Sequence, residues 1–477
     1  MPKDTCWDRN LSVTSDGEGL IGHAGAVLVR KLADQSGLTA ALGRALARAG
    51  KFPLIDRGVA LVSIAVAIVL GATSMSDIAL LAHQAPVFGA PPSDTTIRRA
   101  LELADPRTLD KIARARAAVR EHVWQLIAAT PAGFPWLAVA GKVLAGWLVI
   151  DLDATLVTAH SDKEGAAPTF KKGFGFHPLA AWLANTGEAL AMLLRPGNAG
   201  SNTFADHLTV LGAALRQIPA RMRARLLIRI DGAGASHELI SCLLSLSSRC
   251  RTVLFTCGWA ITAADEQAIG LLPSGAWQAA VDQDGAVQDD KHAAEITHLL
   301  SRAAGWPAGL RWIVRRTKPS RRQMKNLTAF ERATGWRYSI ICTNIPVTGI
   351  PGVPGTGHAQ FIDVLHREHA VVEDQARTNK AMGLRNLPSK TWQVNCGWVL
   401  AANIAADLAA WCRLLGLYDC EDLKDAEPDT LRYRLLSLPA RLVRHARQRV
   451  LKISRTWPWK DAFLACWQRL CALPAPA

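Results

Sequence analysis

The sequence predicts an α/β protein: a mixed sheet with helices, interrupted by a β-rich insertion and flanked by helical N- and C-terminal regions. Three observations carry this. Two apolar runs, LVIDLD (148–153) and LLIRID (226–231), read as buried strands, and each ends in an aspartate. Between them, PLAAWLA and ALAMLLRPG flank the turn sequence NTGE, the pattern of a β-hairpin. Helical spacing of apolar residues dominates the chain from about 20 to 130 and again after about 358.

Composition bounds the reading first. At 477 residues the chain is long enough for several cores, and with 49% hydrophobic residues it is not a largely disordered one. The surplus of 55 Lys plus Arg over 40 Asp plus Glu gives a net charge of +15, which attracts polyanions, nucleic acid being the commonest. The 10 cysteines include no C-x-x-C pair, so reduced thiols are expected rather than a disulfide framework or a zinc site. The opening MPKDTCWDRN lacks the apolar stretch of a secretory signal, and a cytoplasmic location follows as an expectation. Gly58–Ser76 runs without a charge at a length that just reaches a membrane span. Its end is rich in small and polar residues, so a buried core helix is the expectation, and no membrane partner.

Taken in order, residues 1–135 read as a helical N-terminal region. A turn containing Pro86, Gly89, Pro91 and Pro92 leads into SDTTIRRALELA, where Ser93 is a natural N-cap and Arg98 and Arg99 stand in the first two turns. Helix, turn and arginine-bearing helix suit a reader of the DNA major groove; the same residues also fit an ordinary capped surface helix. Residues 140–250 hold the two aspartate-ending strands, the hairpin, and the helix 201–218 with apolar positions 204, 208, 211 and 215. Residues 251–345 mix strand-like runs (TVLFTC, RWIVRR, RYSIICTNI) with polar linkers and read as the insertion. Residues 346–415 return to helices, and 416–477 form a basic region expected to be helical.

Asp153 and Asp231 close their strands at the carboxyl ends, where side chains project into a crevice. Two carboxylates side by side repel unless a cation joins them, and with Mg²⁺ they become a hard oxygen site for water and phosphate. In HREHAVVEDQARTNK, His366, His369, Glu373, Arg377 and Lys380 share one helix face, so a carboxylate there would sit among phosphate-binding cations. An exposed face with paired charges gives the same spacing. Two blocks are wholly basic. One is Arg315, Arg316, Lys318, Arg321, Arg322 and Lys325; the other spans Leu431–Lys460. Both suit phosphate-backbone contacts, and Trp312 and Trp336 nearby suit stacking on a displaced nucleotide.

These residues resemble a known family. IDLDATLVTAHSDKE, FKKGFGFHPL, LLRPGNAGSN and IRIDGAG are similar to the first two acidic motifs of DDE transposases from bacterial insertion sequences, the insertion sequence 1380 family in particular. VEDQARTNKAMGLRNLPSKTW with NCGWVLAANIAADLAAW is similar to the third, and LRYRLLSLPARLV and TWPWKDAF to that family's tail. The resemblance implies an RNase H-like core whose third acid follows a β-rich insertion. It implies Asp153 (with Thr155, a D-x-T pattern), Asp231 and Glu373 as catalytic residues holding Mg²⁺ or Mn²⁺, two ions in all. Asp151 is the alternative first ligand, two residues earlier on the same strand face. Where the wider group carries Tyr and Arg before the acid, this chain has His366 and His369, and it keeps Lys380. The implied partners are double-stranded DNA, as transposon ends and target, and a second copy of the chain on that DNA, near the bacterial nucleoid. A non-catalytic DNA-binding regulator, or an inactive copy, is the rival reading.

Overall fold

A computed structural model describes residues 12, 14–48, 50, 53–200, 203–232, 236–300, 305–368 and 371–476, with the backbone alone for 371–373. The helices used below are α1 (Ala26–Gln35), α2 (Leu38–Leu46), α3 (Arg57–Val69), α4 (Asp94–Leu101), α5 (Pro106–Ala128), α6 (Phe204–Gln217), α7 (His237–Ser245), α8 (Ala359–Arg367), α9 (Val371–Asn379), α10 (Trp392–Gly416) and α11 (Lys460–Ala472). The strands are β1 (Leu20–Ile21), β2 (Leu148–Ala154), β3 (Leu179–Leu183), β4 (Glu188–Leu193), β5 (Arg225–Ile230), β6 (Thr252–Trp259), β7 (Gln278–Val281), β8 (Val287–Glu295), β9 (Arg311–Thr317), β10 (Arg337–Thr343), β11 (Ala440–His445) and β12 (Gln448–Ile453).

Among the described residues nine strands form one mixed sheet in the order β7-β8-β9-β10-β6-β5-β2-β3-β4. At its centre β5 runs parallel to both β2 and β6, and the remaining pairs are antiparallel. The central strands are apolar on both faces because both faces are covered. Leu148, Ile150, Leu226 and Ile228 join the larger core, while Val149, Leu227, Ile313 and Ile341 meet Phe361 and Ile362 of α8 on the other face. The NTGE hairpin forms as read, joining β3 to β4. The strands of 251–345 are continuous with the central sheet rather than a layer apart: β6 pairs with β5, and β7 to β10 extend the same edge.

The uncharged run from Gly58 folds as α3, buried almost all round. Asp56 caps it through Gly58 N (2.8 Å) and Val59 N (3.1 Å). At 13 residues it is too short to span a bilayer. A second helix, which the Gly58–Ser76 reading did not single out, does have the length and composition of a span. Among the described residues α10 is the one helix long and apolar enough to cross a membrane, and 89% of its most apolar window is buried within the protein.

A buried ion network ties three regions together. Arg120 of α5 donates to Glu188 of β4 and to Asp407 of α10, each at 2.7 Å, and Arg116 also reaches Asp407 at 2.7 Å. Trp124 and Trp411 donate to the two oxygens of Glu188 at 2.7 Å. A carboxylate in a dry interior is tolerated only when its lone pairs are taken up in this way.

Two further expectations change. The region after 416 is not all helix: β11 and β12 form a hairpin that pairs with β1 in a three-stranded sheet. Its turn uses Ala446 and Arg447 at positive φ (46° and 66°), with no Gly or Asn to announce it. On α6 the buried face is His207, Val210, Leu211 and Ala214, and Leu208 is exposed. The inward face contains a histidine, so an apolar count alone rotates it wrongly.

Candidate active site

The register of β2 and β5 pairs Leu152 with Ile230. One residue further along, Asp153 and Asp231 stand side by side at neighbouring strand ends, which lie roughly 4.8 Å apart in any sheet. Both are half-buried and line one cleft of about 660 Å³. Close packing beyond Asp231 depends on glycine. A Cβ on Gly258 of β6 would sit 2.6 Å from Gly232 N, so no larger residue fits without parting the strands.

Asp151 has a different job. It is fully buried and takes a bidentate pair from Arg229 of β5, 2.6 Å at Nε and 2.8 Å at Nη2. Arg229 also donates to the Leu365 carbonyl of α8 at 3.1 Å. The two aspartates share a strand face, but Asp151 is spent on an internal ion pair and Asp153 borders the cleft.

The rest of the cleft comes from Pro168 and Thr169, from Phe170 and His177 of FKKGFGFHPL, from the loop Gly197–Gly200 of LLRPGNAGSN, and from His207 of α6. Arg195 braces that loop, donating to the His177 carbonyl (2.9 Å), the Gly200 carbonyl (3.1 Å) and Asp206 (3.1 Å). Each histidine pairs its Nδ1 with a backbone carbonyl, His177 with Ala199 (3.2 Å) and His207 with Thr203 (3.0 Å). Burial holds both rings below the ordinary histidine value, while Asp231 pulls the other way.

On the helical side, His366 of α8 pairs its Nδ1 with Thr256 Oγ1 of β6 at 3.1 Å. Glu373 falls on α9, where the structure describes its backbone alone, and His369 lies outside the described residues. Lys380 begins the turn after α9 and is half-buried. Burial pulls its ammonium below the usual lysine range, helped by Lys171 and opposed by Asp153, so it sits within electrostatic reach of the first aspartate. Arg377 instead pairs with Asp374 (2.6 Å) and Glu427 (3.0 Å).

The basic block divides as sharply. Lys318, Arg321, Arg322 and Lys325 are exposed. Arg316 lies between the rings of Trp277 (4.3 Å) and Trp336 (4.6 Å), and Lys318 stands 3.8 Å over Trp336. Arg315 turns inward toward buried Asp363 at 3.6 Å. Trp312 is 1% exposed and packs edge-on against Trp259, so its expected stacking role is corrected to a core one. Arg98 and Arg99 are exposed on α4, with Ser93 capping Thr96 N at 3.2 Å and Arg98 paired to Glu102 at 2.9 Å.

Sequence reasoning missed His177, His207 and Lys171. The doubled lysine of FKKG was the available signal for the last, and nothing in the spacing marks the histidines. Among the described residues no three His, Cys, Asp or Glu side chains cluster as metal ligands. Asp153 and Asp231 do fit two oxygen donors of a hard divalent cation, open on one side to the cleft.

Paired strand-end carboxylates beside lysines make a site suited to a polyanion handled with a divalent cation. The family model Transposase DDE domain group 1 matches residues 3–475, and the chain belongs to that family of DDE transposases. No curated protein matches it. Among solved structures, a piggyBac transposase synaptic complex with hairpin DNA is similar at 12% identity, over 91% of this chain and 82% of that one, with a TM-score of 0.40. A likeness of that degree adds nothing to the family assignment.

Proposed function

We propose that this chain is a cut-and-join transposase that binds terminal inverted repeats and catalyses cleavage and strand transfer of double-stranded DNA. The observation that supports it most is the shared cleft of Asp153 and Asp231 at the ends of adjacent parallel strands. In this reading the core is RNase H-like, the source resembles the bacterial insertion sequence 1380 family, and the protein works in the cytoplasm on the nucleoid.

Asp153, Asp231 and Glu373 would hold Mg²⁺ or Mn²⁺, two ions, which supply charge neutralisation at the phosphate and a more acidic attacking hydroxyl. The chain's own residues do the rest. Lys380 and Lys171 hold phosphate oxygens beside Asp153. Lys318, Arg321, Arg322 and Lys325 grip the backbone further out, with Arg316 and Trp336 forming a stacking face. Arg98 and Arg99 read the terminal repeat from α4. Both ends must be cut in concert, so two copies act together on DNA.

The test is strand cleavage of a labelled transposon-end duplex in Mg²⁺ or Mn²⁺. Asp231→Ala and Glu373→Ala should each lose about a thousandfold in rate, roughly 4 kcal/mol of barrier, with DNA affinity retained. Wild type that binds the duplex and never nicks it would refute the enzyme and leave a DNA-binding regulator.

A further inference from the structure

The loop that follows the first aspartate strand grips the segment that follows the third acid. From β2 the chain passes through Val157–Thr158 into residues 159–166. There Lys163 Nζ donates to Asn386 Oδ1 (3.2 Å) and to the Leu387 carbonyl. Next door, Glu164 N donates to the Lys390 carbonyl (2.9 Å), and Glu164 Oε2 accepts from Trp392 N (2.7 Å). That last contact satisfies an orphan amide at the start of α10 and places negative charge at its positive end.

The turn just before the gripped segment is held from elsewhere. Arg432 donates to the Ala381 carbonyl (2.7 Å) while binding the Ile68 and Val69 carbonyls at the end of α3. Trp398 Nε1 donates to the Gly383 carbonyl (2.7 Å). The turn Lys380–Leu384 therefore hangs on side chains from outside it, Trp398 of α10 and Arg432. The acceptors on Lys163 are both neutral, so its charge strengthens those bonds without being cancelled by them.

We propose that Lys163 and Glu164 are positioning residues: they clasp residues 386–392 and so fix Lys380 and the Glu373 helix against the strand that carries Asp153. This rests on the reading of Asp153 and Glu373 as one site. The clasp joins two stretches of backbone through hydrogen bonds. Strand β2 leads to Lys163, Lys163 binds Leu387, and Leu387 leads back through Lys380 to α9. A slack clasp would let the third carboxylate drift, and displacements of an ångström at a catalytic site cost orders of magnitude in rate.

The test uses the full-length protein and three variants. Lys163→Met keeps the stem and removes the donor. Glu164→Ala removes the acceptor, and Glu164→Gln keeps an oxygen for Trp392 N. Hydrogen–deuterium exchange of residues 381–392 should quicken about tenfold in Lys163→Met and Glu164→Ala and stay near wild type in Glu164→Gln. The same two variants should need about three- to tenfold more Mg²⁺ for half-maximal cleavage, at unchanged DNA affinity, with Glu164→Gln restored. Unchanged exchange overturns the clasp. Faster exchange with an unchanged Mg²⁺ requirement reduces it to a structural brace and overturns the positioning role. If wild type does not cleave, the transposase reading fails separately. Mn²⁺ binding by calorimetry then decides, since the clasp predicts weaker binding in Glu164→Ala.

Discussion

Asp151 and Asp153 differ by two positions, and exchanging each for alanine should produce opposite defects. Asp151→Ala leaves Arg229 with 1% exposure and no bidentate partner. A charge pair at about 4 Å is worth roughly 4 kcal/mol at an effective dielectric of 20, and stranding one buried member typically costs about 3–5 kcal/mol. Glu368 lies within electrostatic reach of Arg229 and offers a substitute counter-charge, which favours the lower end. At roughly 2 °C per kcal/mol for a large cooperative unit, the melting midpoint should fall by about 6–10 °C. Asp153→Ala removes one of two neighbouring like charges at a half-buried position, so stability should stay within about 1 kcal/mol. Cleavage should run the other way. Well below the melting range Asp151→Ala should remain within about tenfold of wild type, whereas Asp153→Ala should lose about a thousandfold. Differential scanning fluorimetry and a cleavage time course on the same preparations measure both. An Asp151→Ala protein that melts like wild type and does not cut would reverse the assignment.

Three other outcomes follow from the geometry. Burial holds His23 and His207 below the ordinary histidine value, with His83 and Arg195 respectively adding repulsion. The unfolded chain takes up those protons near pH 6.5, so their contribution is intact above that pH and drains away as pH falls through the depressed folded values. The melting midpoint of His207→Gln should therefore fall less between pH 7 and 5 than that of wild type, and equal slopes would discard the argument. Replacing exposed Lys318, Arg321, Arg322 or Lys325 by alanine should each reduce the slope of log affinity against log salt by about one. Arg315→Ala should leave that slope alone and lower the melting midpoint, because Arg315 faces Asp363. Gly58→Ala would place a Cβ 2.2 Å from Gly43 N, forcing α2 and α3 apart at a cost of about 1–3 kcal/mol, read from the urea midpoint with cleavage chemistry unchanged.

Much of the sheet was legible because its strands announce themselves. LVIDLD and LLIRID are mostly apolar with no in-out alternation, as strands covered on both faces tend to be, and NTGE is an unmistakable turn. What stayed hidden lacked such signals. VQDDKHAAE forms β8 although it is mostly polar, because backbone pairing with β7 and β9 holds a partly exposed strand whose buried residues are only the small Ala293 and Ala294. The turn at Ala446–Arg447 uses residues that seldom adopt positive φ. At the site, spacing placed Asp153 and Asp151 on one face but could not say which one Arg229 neutralises, since that depends on the β2–β5 register. Helical spacing likewise put Arg377 and Lys380 together, whereas the turn that starts at Lys380 and the carboxylate of Glu427 draw them to different neighbours.

The smallest sheet sets the order in which the molecule can be completed. Leu20 pairs with Arg441, about 420 residues later, and Gly25 N binds the Leu436 carbonyl. At synthesis rates of about 5–20 residues per second, β1 waits roughly 20–80 s for its partner to leave the ribosome. For most of that interval α1 and α3 lack α10, which packs against both, and α1 lacks α11 as well. The nascent chain thus carries helices with uncovered apolar faces for most of this interval, and chaperone occupancy during that window should govern how much folded protein each message yields.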